Sequence, residues 1–150
     1  MKLVPKRWYS WDFTVMDGDR RVAALDLSSW RERGEVVIQD ITHRVFREGM
    51  MSGDFVIERG GRELARATKP SAFRHTFIVH YNGRDYTLRK HSIWRRTFVL
   101  MDDERQIGSI SPDSAWTRRS TADLPPDWPV PIKAFVIWLV IILWKRESRD

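Results

Sequence analysis

Apolar and polar residues alternate over short stretches of the first 120 residues, but one segment near the C-terminus is apolar on every side. That segment covers residues 134–144, AFVIWLVIILW. As a helix it would span about 16 Å, about half the thickness of a bilayer core of about 30 Å. An all-apolar helix must be covered on every face, by lipid or by protein. Three placements are open: a protein-buried helix, which the length favours, a short membrane segment, or a buried strand.

Four segments upstream share one pattern, and each of them starts with a phenylalanine. They begin at Phe13, Phe55, Phe77 and Phe98. Each phenylalanine is followed by an apolar residue two positions later, an arginine seven later and an apolar residue nine later. Spacing of two places the first two residues on one face of a strand. The residues between the second apolar position and the arginine favour turns, most strongly Asn82-Gly83. Each copy therefore predicts a β-hairpin.

The hairpin pattern extends into a longer meander. The third and fourth copies also match upstream of their phenylalanines, at an offset of 21 residues. Residues 35–41 and 44–46 predict two further strands between the first two copies. With about ten to twelve residues for each strand and turn, residues 8–120 hold about ten to twelve antiparallel strands.

A sheet of this size must close or split, because open strand edges invite aggregation. A closed antiparallel barrel of about twelve strands is too wide to be filled by its own side chains, and the apolar segment supplies a central helix. The proline-rich residues 123–131 cannot continue a sheet, and Pro131 suits a first helical position. We therefore predict one domain over residues 1–150, with a central helix at about 131–146. Its expected core residues are Phe135, Trp138, Leu139 and Ile142.

Three features together cover nearly the whole chain. They are the hairpin series, the short segments 65–69 (ARATK) and 106–110 (QIGSI), and the apolar helix preceded by prolines. In this combination the chain resembles the tubby C-terminal-like superfamily, which includes phospholipid scramblases and LURP-one-related proteins. The resemblance implies a twelve-stranded barrel around a hydrophobic helix, and action on anionic membrane lipids. No headgroup-binding motif or calcium-binding segment of that superfamily is recognisable, so the resemblance assigns no site residue.

The charge balance favours anionic partners. The chain carries 26 basic and 20 acidic residues, for a net charge of +6, and the two signs are interspersed. Such a balance favours phospholipid headgroups or nucleic acid without choosing between them, and a solvated mixed surface is the alternative interpretation. Arginines recur after each predicted turn, and two arginine doublets could join them in one patch. These candidate contacts are Arg20, Arg62, Arg84, Arg105, Arg95, Arg96, Arg118 and Arg119.

Residues that could carry catalysis or bind a metal have simpler explanations. The chain has no cysteine and no nucleophile elbow or phosphate-binding loop. His75 and His80 are expected on opposite faces of a strand, and His43 and His91 lack partners at ligand spacing. The acidic runs at 17–19 and 102–104 occupy predicted turns. We predict no metal, no cofactor and no enzymatic activity, and we expect core positions for most tryptophans except Trp8 and Trp11.

The leading hypothesis is a non-enzymatic barrel that touches anionic phospholipid at a membrane surface. The alternatives are a protein-interaction or structural scaffold and a tail-anchored membrane protein. Nucleic acid is the least favoured partner, because no known motif interleaves aromatic and basic residues here. The N-terminus lacks a continuous apolar stretch typical of a secretion signal. A cytoplasmic location, peripheral at the inner membrane surface, is the corresponding expectation.

Overall fold

The computed structural model describes residues 1–7, 11–27, 32–49, 53–70, 75–92 and 95–148. These residues contain twelve β-strands followed by one α-helix. The strands are β1 (Lys2–Pro5), β2 (Phe13–Asp17), β3 (Arg20–Asp26), β4 (Arg33–Ile38), β5 (Ile41–Arg47), β6 (Phe55–Arg59), β7 (Arg62–Thr68), β8 (Thr76–Tyr81), β9 (Arg84–Ser92), β10 (Arg95–Asp102), β11 (Arg105–Pro112) and β12 (Ser120–Asp123). The helix is α1 (Val130–Glu147).

The strands form a closed antiparallel barrel, as predicted. Each strand pairs with the next one along the chain, and β12 pairs with β1 to complete the ring. At this seam Lys2 lies opposite Thr121 and Leu3 opposite Ser120. The backbone of Met1 extends the seam by donating to the carbonyl of Ala122 (2.9 Å) and accepting from its nitrogen (2.8 Å). Closure leaves no open edge among the twelve described strands.

Helix α1 fills the interior of the barrel. Twelve of its eighteen residues are buried, and they include Phe135, Trp138, Leu139 and Ile142. The ring of Trp138 packs edge-on against Phe55 of the wall, with 5.8 Å between ring centroids. The apolar segment is therefore a protein-buried helix in this structure, and its interpretation as a strand is wrong.

The repeated pattern marks the inward face of the wall. The phenylalanines that start the four copies are at most 1 % exposed, as are the apolar residues two positions later. Period-two spacing thus identified side chains that belong to the same buried core as α1. The buried pairs are Phe13 and Val15, Phe55 and Ile57, Phe77 and Val79, and Phe98 and Leu100.

The turns of the four predicted hairpins also lie where the sequence places them. Asn82 and Gly83 connect β8 to β9 with positive φ angles of 53° and 76°, and such a pair suits the right-handed twist of a hairpin. The other three copies contain an irregularity that the sequence pattern did not show. Their strand register shifts after Val15, Ile57 and Leu100.

Two local predictions were wrong. Residues 35–41 were expected to form one strand, but the chain turns at Gln39 and Asp40, with φ angles of 50° and 62°, and separates β4 from β5. This turn lacks the glycine or asparagine that usually signals positive φ, although aspartate tolerates it. Pro131 is the second helical residue rather than the first, because Pro129 is the N-cap.

The barrel also extends beyond the predicted strand region of residues 8–120. Strand β1 precedes this region, and β12 starts at its last residue. Both are four residues long, and β1 ends in a proline. Such short segments give too few alternating positions for a periodic signal. They nevertheless provide the pairing that closes the ring.

Antiparallel pairing gives the barrel two different ends. At the hairpin end, tight turns join β2–β3, β4–β5, β6–β7, β8–β9 and β10–β11. At the loop end, β1, β3, β5, β7, β9 and β11 finish, and the strands that follow them, β2, β4, β6, β8, β10 and β12, begin. Strand β12 finishes at the hairpin end, so α1 starts there. Its eighteen residues extend about 27 Å, and its C-terminus emerges at the loop end.

Candidate anionic-surface site

The candidate arginines fall into two separate sets. Arg20, Arg62, Arg84 and Arg105 are the first residues of β3, β7, β9 and β11, at the hairpin end. The doublets Arg95-Arg96 and Arg118-Arg119 lie at the start of β10 and just before β12, at the loop end. The prediction that all eight join in one patch was therefore wrong. Each antiparallel strand reverses the chain direction, so the starts of consecutive strands lie at opposite ends.

Carboxylates accompany the arginines of the hairpin end. Arg84 forms an ion pair with Asp102 at 2.8 Å, and Arg105 lies 3.8 Å from the same carboxylate. Residues 17–20 (DGDR) and 102–105 (DDER) each place more acids than bases in one turn. Asp102 thus compensates part of the positive charge of this end, whereas Arg20 and Arg62 are exposed and form no ion pair with another described residue.

The arginines of the loop end have different surroundings. Arg95 and Arg119 are exposed, and neither forms an ion pair with another residue of the described ranges. Arg96 and Arg118 are partly buried, and each lies over an indole ring. The guanidinium carbon of Arg118 is 4.1 Å from the ring centre of Trp11, and that of Arg96 is 5.3 Å from the ring centre of Trp144. Cation–π contacts of this kind favour placement of a guanidinium over the ring.

Glu32, at the loop end, is shared by several cations. It accepts hydrogen bonds from Arg47 (3.2 Å) and from Nε of Arg146 (2.7 Å) near the C-terminus of α1. Burial lowers the pKa of the neighbouring Lys69, and the positive charges of Arg146 and Arg47 lower it further. The shift therefore reports mainly the partly buried position of the ammonium group, and the charge of Glu32 opposes it. This cluster also ties the end of the helix to the wall.

Two further loop-end carboxylates are held by Arg66. Its guanidinium lies 2.7 Å from Glu48 and 2.8 Å from Asp54, and it also contacts Glu63 at 2.6 Å. The hydrogen bonds that Arg66 donates to these carboxylates raise the pKa of Arg66, and the ones to Glu48 lower the pKa of that carboxyl group. The acids of the β5–β6 connection are therefore paired with Arg66 of β7 rather than with the arginine doublets.

Asp113 and Glu147, which lie nearer to the doublets, also have partners. Asp113 accepts a 2.7 Å hydrogen bond from the hydroxyl of Thr121 and lies 3.2 Å from Lys2. The Thr121 hydrogen bond lowers the pKa of Asp113, with a smaller contribution from Lys2. Glu147 lies 2.6 Å from the ammonium group of Lys90. Both carboxylates thus lie beside lysines, and Asp113 also interacts electrostatically with Arg119 of one doublet.

Trp116 is the most exposed large apolar side chain of the described residues, at 97 %. It lies on the β11–β12 connection, whose ends are held together by a 2.8 Å hydrogen bond from the Asp113 nitrogen to the Arg119 carbonyl. Sequence analysis missed this residue by assigning most tryptophans to the core. Its polar, proline-containing surroundings (SPDSAW) could have identified it as a loop residue. Trp11 is partly buried at the same end, and Trp8 and Trp94 lie outside the described residues.

The remaining candidate groups lie in ordinary structural positions. The acidic runs at 17–19 and 102–104 occupy hairpin turns, as predicted. His80 lies on β8 beside Asp85, whereas His75 is exposed just before that strand. His43 is buried in the wall, with Nδ1 3.1 Å from the carbonyl oxygen of Ile41. Within the described ranges, no three histidine or acidic side chains converge as metal ligands.

In the described part of the chain, no helix is both long enough and apolar enough to cross a bilayer. Comparison with family models, with curated proteins and with solved structures found no match to this chain. The resemblance to the tubby-like superfamily stays a prediction. The candidate site therefore depends on its own geometry, which places exposed arginines and an exposed tryptophan at one end of the barrel.

Proposed function

We propose that the protein associates with membrane surfaces containing anionic phospholipid, and that its loop end is the docking face. One observation carries this proposal: Trp116 is 97 % exposed at the end of the barrel where the exposed Arg95 and Arg119 form no ion pair with another described residue. A binding role without catalysis is part of the same proposal.

The chemistry of the two side-chain types suits a lipid headgroup layer. Lysine and arginine near an anionic leaflet each contribute about 1 kcal/mol of attraction. Tryptophan is enriched at the boundary between headgroups and hydrocarbon, where its ring contacts apolar chains and its N–H stays hydrated. The tubby-like resemblance, itself a prediction, supports the same class of ligand.

The direct test is sedimentation with vesicles at several salt concentrations. Vesicles of phosphatidylcholine with phosphatidylserine should bind the protein at low salt, whereas vesicles of phosphatidylcholine alone should bind it much more weakly. Binding should weaken as salt is added, because the Debye length falls to about 8 Å at physiological ionic strength. Absence of binding to the anionic vesicles at low salt contradicts the proposal.

Matched double variants locate the docking face. Arg95→Gln with Arg119→Gln removes two exposed charges from the loop end, and Arg20→Gln with Arg62→Gln removes two from the hairpin end. At about 1 kcal/mol for each charge, the loop-end variant should bind about 30-fold more weakly. The hairpin-end variant, with the same net charge, should stay close to the wild-type affinity. Equal losses in both variants would show non-specific attraction without a docking face.

A further inference from the structure

A threonine, a histidine and an aspartate form a hydrogen-bonded chain on the outer wall of the barrel. The hydroxyl oxygen of Thr68 lies 3.2 Å from Nε2 of His80, and Nδ1 of His80 lies 2.5 Å from a carboxylate oxygen of Asp85. The three residues belong to the neighbouring strands β7, β8 and β9. A hydroxyl, an imidazole and a carboxylate are thus joined in the order that is typical of an activated nucleophile.

The register of the strands brings these three side chains together. His80 lies opposite Asp85 on β9 and diagonally opposite Thr68 on β7. Direct and diagonal neighbours on one face of an antiparallel pair are close enough for their side chains to interact. Ala67 and Val79 are fully buried, so the adjacent Thr68 and His80 point outward, where both are partly exposed. A small molecule can therefore reach the hydroxyl group from solvent.

The carboxylate of Asp85 determines where the imidazole carries its proton. A carboxylate only accepts hydrogen bonds, so its contact with His80 requires the proton to be on Nδ1. In the neutral ring Nε2 is then an acceptor, and the hydroxyl of Thr68 donates to it. In this tautomer Nε2 can take the hydroxyl proton while the threonine oxygen attacks an electrophile.

The surrounding charges favour one kind of electrophile. Directly opposite His80 on β7 lies Arg66, whose guanidinium is held by three carboxylates. These carboxylates belong to Glu48, Asp54 and Glu63. Together with Asp85 they outnumber the single positive charge of Arg66. Because like charges repel, these surroundings disfavour an anionic reactant, such as a phosphoryl donor, and favour a neutral one.

We infer that Thr68 is a modification site, whose hydroxyl is acylated by neutral activated carboxylic esters. In this step the Thr68 oxygen forms a bond to the carbonyl carbon of the ester, and the bond from that carbon to the leaving oxygen breaks. The hydroxyl proton passes to Nε2 of His80 and from there to the leaving oxygen. The products are an ester of Thr68 and a free alcohol, and the imidazole regains its starting state.

The acyl group should stay on the protein. Its hydrolysis would need hydrogen-bond donors for the oxyanion that forms when water attacks the ester. Arg66 lies directly opposite His80, but each of its guanidinium nitrogens already donates to a carboxylate. A lasting modification is therefore expected rather than repeated turnover. It goes beyond the proposed membrane docking and does not depend on it.

The test treats the folded protein with para-nitrophenyl acetate, a neutral aryl ester. Absorbance measures the released para-nitrophenolate, and mass spectrometry of peptides locates the acetyl group. The wild-type protein should acquire an acetyl group on Thr68. Thr42, an exposed threonine on the outer face of β5, is the internal reference and should stay unmodified.

Two variants remove the groups that activate the hydroxyl. His80→Gln removes the base, and Asp85→Asn removes the carboxylate that orients it. Each should be acetylated at Thr68 at least about tenfold more slowly than the wild type, because a positioned general base contributes about 10²–10⁴-fold. His91→Gln, at an exposed position of β9, is the matched control and should react at the wild-type rate. Circular dichroism spectra compare the fold of each variant with that of the wild type.

A conservative variant tests the nucleophile itself. Thr68→Ser keeps a hydroxyl group at this position and should still be acetylated there, whereas Thr68→Val should not.

Three outcomes overturn the inference. If Thr68 is acetylated no faster than Thr42, the hydrogen-bonded chain does not activate the hydroxyl. If His80→Gln keeps the wild-type rate at Thr68, the imidazole is not the base. Acetylation that is confined to His80 would show that the imidazole, rather than the hydroxyl, is the nucleophile. None of these measurements involves vesicles, so their failure is distinct from a failure of the proposed function.

Discussion

The indole nitrogen of Trp144 donates a 2.8 Å hydrogen bond to the backbone carbonyl of Arg96. Trp144 belongs to the buried helix, and Arg96 belongs to the start of β10 at the loop end. The same tryptophan ring supports the guanidinium of Arg96 and contacts Phe98 inside the barrel. The Trp144 side chain therefore connects the buried helix α1 to the surface that we propose as the docking face.

Replacing Trp144 with phenylalanine should destabilise the protein by about 1–3 kcal/mol. The ring remains apolar, but the partly buried carbonyl of Arg96 loses its donor, and an unsatisfied buried acceptor has a cost of this size. Urea unfolding followed by circular dichroism measures the change as a lower midpoint at constant slope. Trp116→Phe is the control and should change stability by less than about 0.5 kcal/mol, because its ring is exposed. A loss of similar size in both variants would contradict the role of this hydrogen bond.

Truncating the centre of the helix should have a larger effect. Trp138 is 1 % exposed and packs against Phe55 and Phe135, so Trp138→Ala should lower the free energy of unfolding by about 3–5 kcal/mol. Because typical domains are stable by about 5–15 kcal/mol, this variant should be marginal. Trp116→Ala removes the same side chain from the surface and should leave the unfolding midpoint nearly unchanged. Comparable losses in the two variants would contradict burial of the helix.

Stability should fall as the solution becomes acidic, in part through the cluster around Arg66. The hydrogen bond from Arg66 lowers the pKa of Glu48 below its ordinary value of 4.5. A group with a lowered folded-state pKa stabilises the protein fully above its ordinary pKa, and this contribution is lost as pH falls through the lowered value. Urea midpoints measured from pH 7 down to below 4.5 should therefore decline, and Arg66→Gln should make the decline shallower.

The control for this pH dependence is Arg62→Gln on the same strand. Arg62 is exposed at the hairpin end and forms no ion pair with a residue of the described ranges. Its variant should follow the wild-type pH profile, since the Glu48–Arg66 contact is intact. A profile for Arg66→Gln that is parallel to the wild type would show that this cluster does not contribute to acid sensitivity.

The fold could be predicted from the sequence because two patterns complement each other: repeated strands with one apolar face, and a helix that is apolar on every face. Phenylalanines at Phe13, Phe55, Phe77 and Phe98 mark the inward face of a wall, and the all-apolar segment supplies what that face must cover. The pattern did not predict the places where the strands depart from simple hairpins. The turn at Gln39 and Asp40 and the register shifts depend on local backbone conformation, which the apolar spacing does not encode.

The candidate site was predicted only in part. The arginine doublets were identified by their charge. Placing them at the opposite end from the other arginines requires knowing the number and order of all strands. The short strands β1 and β12 were missed, so the sequence did not give that order. A cavity at the loop end is lined by Trp11 and Trp144, which are distant in the sequence and meet only when the barrel closes. Ion pairs such as Lys90–Glu147 also join residues that are far apart in the sequence. For this reason, no sequence pattern shows which acidic side chains are paired with a cation.

The orientation of the barrel on a membrane tests the proposed function most directly. The chain has no cysteine, so Ser114→Cys at the loop end and Gln106→Cys at the hairpin end each give one labelling site on an exposed residue. Both variants carry an environment-sensitive fluorophore and are mixed at low salt with vesicles that contain phosphatidylserine. We expect a blue shift of the label at position 114 and no shift at position 106. A shift at 106 with none at 114, or shifts of equal size at both positions, would contradict docking through the loop end.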